Sequence, residues 1–182
     1  AGRFRATSAP TLIRSGPVVK TVRVTSTWGN SRIEQDISLY GDEPVIDIVM
    51  RVDWHERLKM LKLGFPLALD DAQVTASAPY GYITREPDGE EYPCQAWLDV
   101  SGTSNQGQAG LSLVNDGKYG YDVLGSELRL SVLRSPIYAF HRPRQIVPGV
   151  TYHYTDQGLQ ELHYRLYPHD GDWRKANADR AA

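Results

Sequence analysis

One cysteine, Cys94, stands among the 182 residues, so no internal disulfide can form and a zinc site built on paired cysteines is excluded. No apolar run approaches the roughly 20 residues that carry a helix across a bilayer. No charge of one sign dominates either. Twenty Lys and Arg stand against 22 Asp and Glu, for a net charge of -2, and that balance offers no basic field to nucleic acid. A Gly-x-Ser-x-Gly elbow and a phosphate-cradling glycine loop are both missing. Neither a nucleic-acid partner nor a membrane partner is therefore expected. The lack of disulfides accords with a reducing compartment, and a cytoplasmic location is the expectation. The chain starts Ala-Gly-Arg without a signal-like apolar region and reads as trimmed from a longer one.

The sequence has many short stretches of period two, separated by Gly, Pro, Asn and Asp. Val18 to Thr25 alternates as a half-buried strand does, and Trp28-Gly29-Asn30 supplies turn chemistry. Ile33, Ile37 and Leu39 share one side of the next stretch. Val45 to Trp54 is apolar on both faces, which suits a central strand. Residues 55–70 could open as a helix, but Leu61, Leu63, Phe65 and Leu67 alternate and Pro66 stops a helix, so a strand is predicted. Further strands are expected at 73–77, 80–85, 94–100, 109–115, 126–134 and 159–167. No amphipathic helix is evident. The fold class predicted is all-β, an antiparallel β-sandwich with little helix. Residues 1–16 read as a linker or lead-in, 17–172 as the β-sandwich domain, and 173–182 as a polar tail. Trp54, Trp97, Leu61, Leu63, Phe65, Leu111, Leu113, Leu128, Leu130 and Val132 are the expected core.

Chemistry is harder to find. Glycoside cleavage needs two carboxylates facing one bond. The acidic pairs Asp42-Glu43, Asp70-Asp71 and Glu90-Glu91 are adjacent in sequence, so on a strand their side chains diverge. The histidines are His55, His141, His153, His163 and His169. On an extended strand His163 and His169 would share a face but stand about 20 Å apart. No metal ligand set is read, and structural hydrogen bonding is expected of them instead. The densest segment is 110–136, where Asn115-Asp116-Gly117 is a turn signal and Lys118-Tyr119-Gly120-Tyr121-Asp122 interleaves charge with aromatic rings. Such residues suit sugar hydroxyls and ring faces; they equally suit a buried polar corner.

Four segments together resemble the C-terminal region of glycoside hydrolase family 38, the class II α-mannosidases, in their cytosolic and vacuolar type. They are VDWHERLKMLKLGFP at 52–66, YGYITREPDGEEYPCQAWLDVSG at 80–102, GLSLVNDGKYGYDVLGSELRLSVLRSP at 110–136 and DQGLQELHYRLYPHDGDW at 156–173. The resemblance spans nearly all of residues 16–173. It implies a β-sandwich of the supersandwich type, related in shape to galactose mutarotases. It also implies a partner in the same polypeptide, an N-terminal α/β catalytic domain of a retaining glycosidase with an aspartate nucleophile and a zinc ion.

By this resemblance the chain is a non-catalytic portion of a hydrolase acting on mannose-containing carbohydrate. It would hold no catalytic residue, no metal and no cofactor, with zinc in the missing domain. Arg134 matches an arginine that the family brings toward the substrate cleft, although the motif here is Leu-Arg-Ser-Pro rather than a double arginine. Lys118, Tyr119 and Asp122 are further substrate-cleft candidates. A local salt bridge of Arg134 to Asp122 or Glu127 is the competing expectation. Two other functions stay open. A carbohydrate-binding module would need an exposed platform of rings, with Tyr80, Tyr82, Tyr119 and Tyr121 as candidates. A small aldose epimerase would need a paired acid and base near one sugar carbon.

Overall fold

The computed structural model describes residues 2–139 and 146–177; His141 lies outside them. The elements are β1 (Arg5–Ala6), β2 (Thr11–Ser15), β3 (Val19–Trp28), β4 (Ser31–Tyr40), β5 (Ile46–Trp54), β6 (Met60–Pro66), β7 (Asp70–Ala78) and β8 (Gly81–Arg85). They continue with β9 (Tyr92–Pro93), β10 (Trp97–Ser104), β11 (Gly107–Asn115), β12 (Gly120–Leu124), β13 (Glu127–Arg134) and β14 (Gly158–Asp170). A one-turn helix, α1 (Trp173–Ala176), follows. All pairings are antiparallel. The larger sheet runs β1-β3-β4-β5-β14-β11-β10-β7-β8, with β2 also paired to β3, and the smaller runs β6-β13-β12-β9.

The predicted sandwich is what forms, and its strands follow the turn chemistry. Gly29 and Asn30 alone join β3 to β4. Gly29 takes φ 58°, and a Cβ there would meet the Glu56 carboxylate, so backbone conformation and space both require glycine. The residues 1–16, expected as lead-in, contain β1 and β2, both paired to β3. The tail from 173 opens with α1, whose Trp173 is buried against Trp97. The N-cap Asp172 accepts from the Lys175 amide at 2.9 Å.

Two clusters fill the space between the sheets. Ile33, Ile48, Met50, Val52, Trp54, Leu162 and Tyr164 of the larger sheet meet Leu61, Val132 and Leu133. Val74, Ala76, Leu98, Val100 and Leu113 meet Tyr121, Val123, Leu128 and Leu130. Of the ten expected core residues, seven are buried and Leu63, Phe65 and Leu111 are half-buried. Leu63 and Phe65 touch both clusters, but they lie on β6, an edge strand, which leaves one flank open.

The outer face of the larger sheet is a ladder of ion pairs. Arg23 holds Asp36 through two bonds of 2.6 and 2.7 Å, Arg51 reaches Asp36 at 3.1 Å and Glu161 at 2.8 Å, and Arg165 holds Asp47 at 2.7 and 3.0 Å. The register sets these partners: Arg23 lies opposite Asp36, and Asp47 opposite Arg165. Arg165 keeps the Asp47 carboxyl below the usual carboxylate range, against the opposing effect of burial. Asp36 and Asp47 are mostly buried while their guanidinium partners stay partly exposed, and solvent screening there holds each pair to about 1 kcal/mol, so stability resides mainly in the apolar clusters.

Trp54 is 1% exposed and its indole N–H donates to the buried Ser135 hydroxyl at 3.1 Å. Trp54→Ala should therefore lower unfolding free energy by about 3–5 kcal/mol in urea denaturation. A loss under about 1 kcal/mol would mean that the cluster closes without it.

Candidate functional site

The outer face of the smaller sheet differs from that ladder. In β12 the side chains alternate, so Tyr121 enters the core while Asp122 faces outward. Register places Asp122 opposite Arg129 and Gly120 opposite Ser131, with Lys62 of β6 beside Ser131. Asp122 is nonetheless 1% exposed, because Lys62 and Arg129 close over its carboxylate as ion pairs. Lys62 also binds Glu91, which in turn accepts from the Ser131 hydroxyl. Burial works against the charged Lys62 ammonium, but Asp122 and Glu91 outweigh it and raise its pKa. Burial pushes the Glu91 carboxyl up, and Lys62 and Ser131 more than reverse that.

Beside this network lies an open depression of about 500 Å3 whose lining includes Met60, Glu91, Lys118, Tyr119, Arg134 and Asp156. Of the sequence candidates, Arg134, Lys118 and Tyr119 thus share one concavity. Asp122 does not line it; it lies behind, reached through Lys62 and Glu91. The lining draws on all four segments that carry the family resemblance: Met60 from the first, Glu91 from the second, Lys118, Tyr119 and Arg134 from the third, Asp156 from the fourth. Residues far apart in sequence meet there because β13 pairs with both β6 and β12.

The backbone around the candidates is fixed. Asn115 Oδ1 accepts from the amides of Gly117 and Lys118 at 3.1 and 2.7 Å, an Asx turn that sets the loop. The Tyr119 carbonyl accepts from the Cys94 amide at 2.8 Å, while the ring is 58% exposed. The Arg134 amide donates to Asp156 Oδ2 at 3.1 Å, and its carbonyl accepts from the Thr155 hydroxyl at 2.9 Å. Its side chain is exposed. The alternative expectation of an Arg134–Asp122 bridge is not what forms, since Asp122 is occupied by Lys62 and Arg129. Among the described residues Arg134 makes no ion pair with Glu127 either.

The other chemistries find less support. Three acid–histidine pairs occur among the described residues. His55–Asp53 at 2.9 Å is exposed, His163–Asp47 at 3.5 Å shares its carboxylate with Arg165, and His169–Asp99 at 2.7 Å has side chains only 2% and 1% exposed. None lines the depression. β14 runs through Pro168 without turning, so His163 and His169 stay apart. No group of three or more His, Cys, Asp or Glu side chains among the described residues is placed to hold a metal ion, so the zinc implied by the family resemblance finds no fit here. Burial pushes the Cys94 thiol up to about 11, which disfavours the nucleophilic thiolate. Tyr80, Tyr82 and Tyr119 are exposed while Tyr121 is buried at 1%. Tyr82 is engaged by Trp173 edge-on at 5.1 Å and by Arg174 at 2.9 Å.

The model of the glycosyl hydrolases family 38 C-terminal domain matches residues 4–143. The chain belongs to that family. Human alpha-mannosidase 2C1 is 34% identical over 161 residues, 84% of this chain and 14% of that protein. Alpha-mannosidase G of Dictyostelium discoideum is 28% identical over 157 residues, 82% of this chain and 13% of that protein. A solved family 38 protein from Enterococcus faecalis superposes with a TM-score of 0.79 at 14% identity, over 97% of this chain and 24% of that one. This chain therefore spans about a seventh of the human relative, and the last comparison bears on fold alone.

Sequence reasoning missed Lys62, Arg129, Ser131 and Glu91 in this family 38 domain. Glu91 read only as one of an adjacent acidic pair. Lys62 and Arg129 stand between apolar positions of alternating strands, and alternation does not disclose which strands neighbour each other. It also missed the network around Asp99, which accepts from the Ser112 hydroxyl at 2.6 Å and contacts His169 Nε2 at 2.7 Å. Gly110 makes room for it, since a Cβ there would strike the His169 ring.

Two outcomes follow. Asp122→Ala leaves Arg129 without its carboxylate and Lys62 with Glu91 alone. Both are partly exposed, so the expected loss is about 1–3 kcal/mol by chemical denaturation; an unchanged midpoint would deny the carboxylate its structural role. His169 gives a pH-dependent outcome. Burial lowers its pKa, but Asp99 prevails and the folded value lies above 6.5. The protonated form is thus favoured by folding. Its stabilisation is complete below about pH 6.5 and is lost as pH rises through the raised value. The melting temperature should fall over that window in the native chain and stay flatter in His169→Gln.

Proposed function

We propose that this domain is the non-catalytic C-terminal β-sandwich portion of an α-mannosidase, packed on a zinc-dependent catalytic domain and forming one wall of its cleft. The observation that carries this reading is the match to the family 38 C-terminal domain by a chain that spans only 14% of human alpha-mannosidase 2C1. The ligand is then a mannose-containing carbohydrate, the nucleophile and the zinc belong to the catalytic domain, and the location is cytoplasmic. The described residues include no helix long and apolar enough to cross a membrane.

Within this reading the depression at Arg134 is the part that faces substrate. Its lining mixes a guanidinium, an ammonium, two carboxylates, a hydroxyl and an aromatic face, a set suited to sugar hydroxyls and ring C–H surfaces. Arg134 has a clamped backbone and an exposed side chain whose charge also acts on the Glu91 carboxyl, and guanidinium offers five donors in a fixed fork. Lys118 and Tyr119 flank it. Asp122 acts at one remove, by holding Lys62 and through it Glu91.

A test uses the enzyme encoded by the complete reading frame. Arg134→Ala should lower kcat/KM on an aryl α-mannoside about tenfold to a hundredfold, the worth of one charge-assisted hydrogen bond, with the melting temperature held. A fall in stability with normal turnover of the folded fraction would make Arg134 structural. A reading frame without a catalytic domain would sink the reading itself.

A further inference from the structure

The two sheets are unequal in width, and the excess of the larger one is not polar. On β4, Ile33, Ile37 and Leu39 face inward, since they stand opposite Val52, Ile48 and Ile46 of β5. On β3, Val22 and Val24 share that face, and Leu12 of β2 stands opposite Val22. Where the smaller sheet covers this face, burial is complete: Ile33 is 4% and Ile48 is 3% exposed. Beyond it, Leu39 is 53% and Leu12 is 57% exposed, and Val22, Val24 and Ile37 are half-buried. An inward-facing apolar row thus continues past the edge of its cover.

That edge is β6, which pairs with β13 on one side and with no strand on the other among the described residues. Along it runs a groove of about 710 Å3, whose walls include Met60 to Gly64 on one side and Ser26, Ile33 and Gln35 on the other. Neighbouring strands lie about 4.8 Å apart and packed sheets about 10 Å. One more strand hydrogen-bonded to β6 would therefore lie over β4 and β3. Pro66 has no amide to donate, so pairing would be confined to Met60–Phe65.

We propose that this free edge and uncovered wing receive a β-strand with alternating apolar side chains, supplied by the remainder of the family 38 polypeptide. The inference rests on the reading that such a remainder accompanies this domain. The length argument favours that occupant: the same fold is 24% of the Enterococcus faecalis chain, and the human relative extends over about seven times this match. Added-strand pairing supplies main-chain hydrogen bonds, and the Leu12–Val22–Ile37 row with the exposed Leu39 beside it supplies the apolar contact. Met60 lines both this groove and the Arg134 depression, so a strand seated here carries the companion chain to the proposed cleft wall.

The test compares hydrogen–deuterium exchange in the 182-residue chain and in the protein from the complete reading frame. Amides of Met60–Phe65 should exchange about tenfold or more slowly in the longer protein. Leu39→Asp should leave the melting temperature of the 182-residue chain unchanged and abolish that slowing. Equal exchange at β6, with protection confined to residues 117–120 and 134–135, would overturn the inference and leave the companion-domain reading standing. Dimers of the 182-residue chain that Leu39→Asp dissolves would also overturn it, by assigning the face to a second copy. Unchanged exchange everywhere in the longer protein would overturn both.

Discussion

β14 lies between β5 and β11, and its backbone hydrogen bonds join the two halves of the larger sheet. Leu162 stands opposite Met50 and Leu166 opposite Leu113. Without this strand the larger sheet would divide into two, each with a new open edge. With it, one continuous floor forms, and Leu166 packs against both apolar clusters across it. Closing so long a loop costs entropy that only the burial it permits can offset. The long strand is therefore where the local hairpins become a domain.

The smaller sheet packs over β4, β5, β14, β11, β10 and β7, where its inward residues meet the two apolar clusters. Its placement decides the rest of the chemistry. Strand alternation sends Asp122, Arg129, Lys62 and Ser131 to its outer face, and pairing brings them into one network. The turns at its margin carry Lys118, Tyr119 and Arg134 to a common concavity. On the larger sheet's outer face Asp36 and Asp47 meet guanidiniums that stay partly exposed. A carboxylate at Asp122 finds two cations and near-complete burial, so there the same residue types give a rigid support behind the depression.

A second polar interior lies on the other side of the larger sheet. Asp99, Ser112, Ser101 and His169 share a buried network next to the cluster of Trp97, Trp173, Val114 and Tyr167. A carboxylate so enclosed must be fully hydrogen-bonded, and here two hydroxyls and an imidazole meet that need. The arrangement resembles a catalytic constellation in its residue types only. The serine and the histidine both bind the aspartate rather than each other, and the histidine side chain is almost fully enclosed. Its position fastens the last turns of the chain to the sheet.

Period-two alternation and Gly, Asn and Pro punctuation made the sheet-rich fold, most strands and the main core residues legible from the sequence, because each depends on neighbours along the chain. β12 was read as a polar, aromatic stretch, because Gly120, Tyr121 and Asp122 alternate too briefly to stand out. Trp173 fell in a segment that read as polar tail, its burial depending on Trp97, far away in sequence. The four family segments and Arg134 were visible as motifs, while their convergence on one depression was not. Nor could composition disclose that Glu91 differs from the other turn acids, or that Leu39 and Leu12 face inward yet stay uncovered. Alternation fixes which face a side chain takes relative to its own strand. Which strand lies beside it, and whether anything lies above it, is set by long-range pairing, and that is what only the tertiary structure decided.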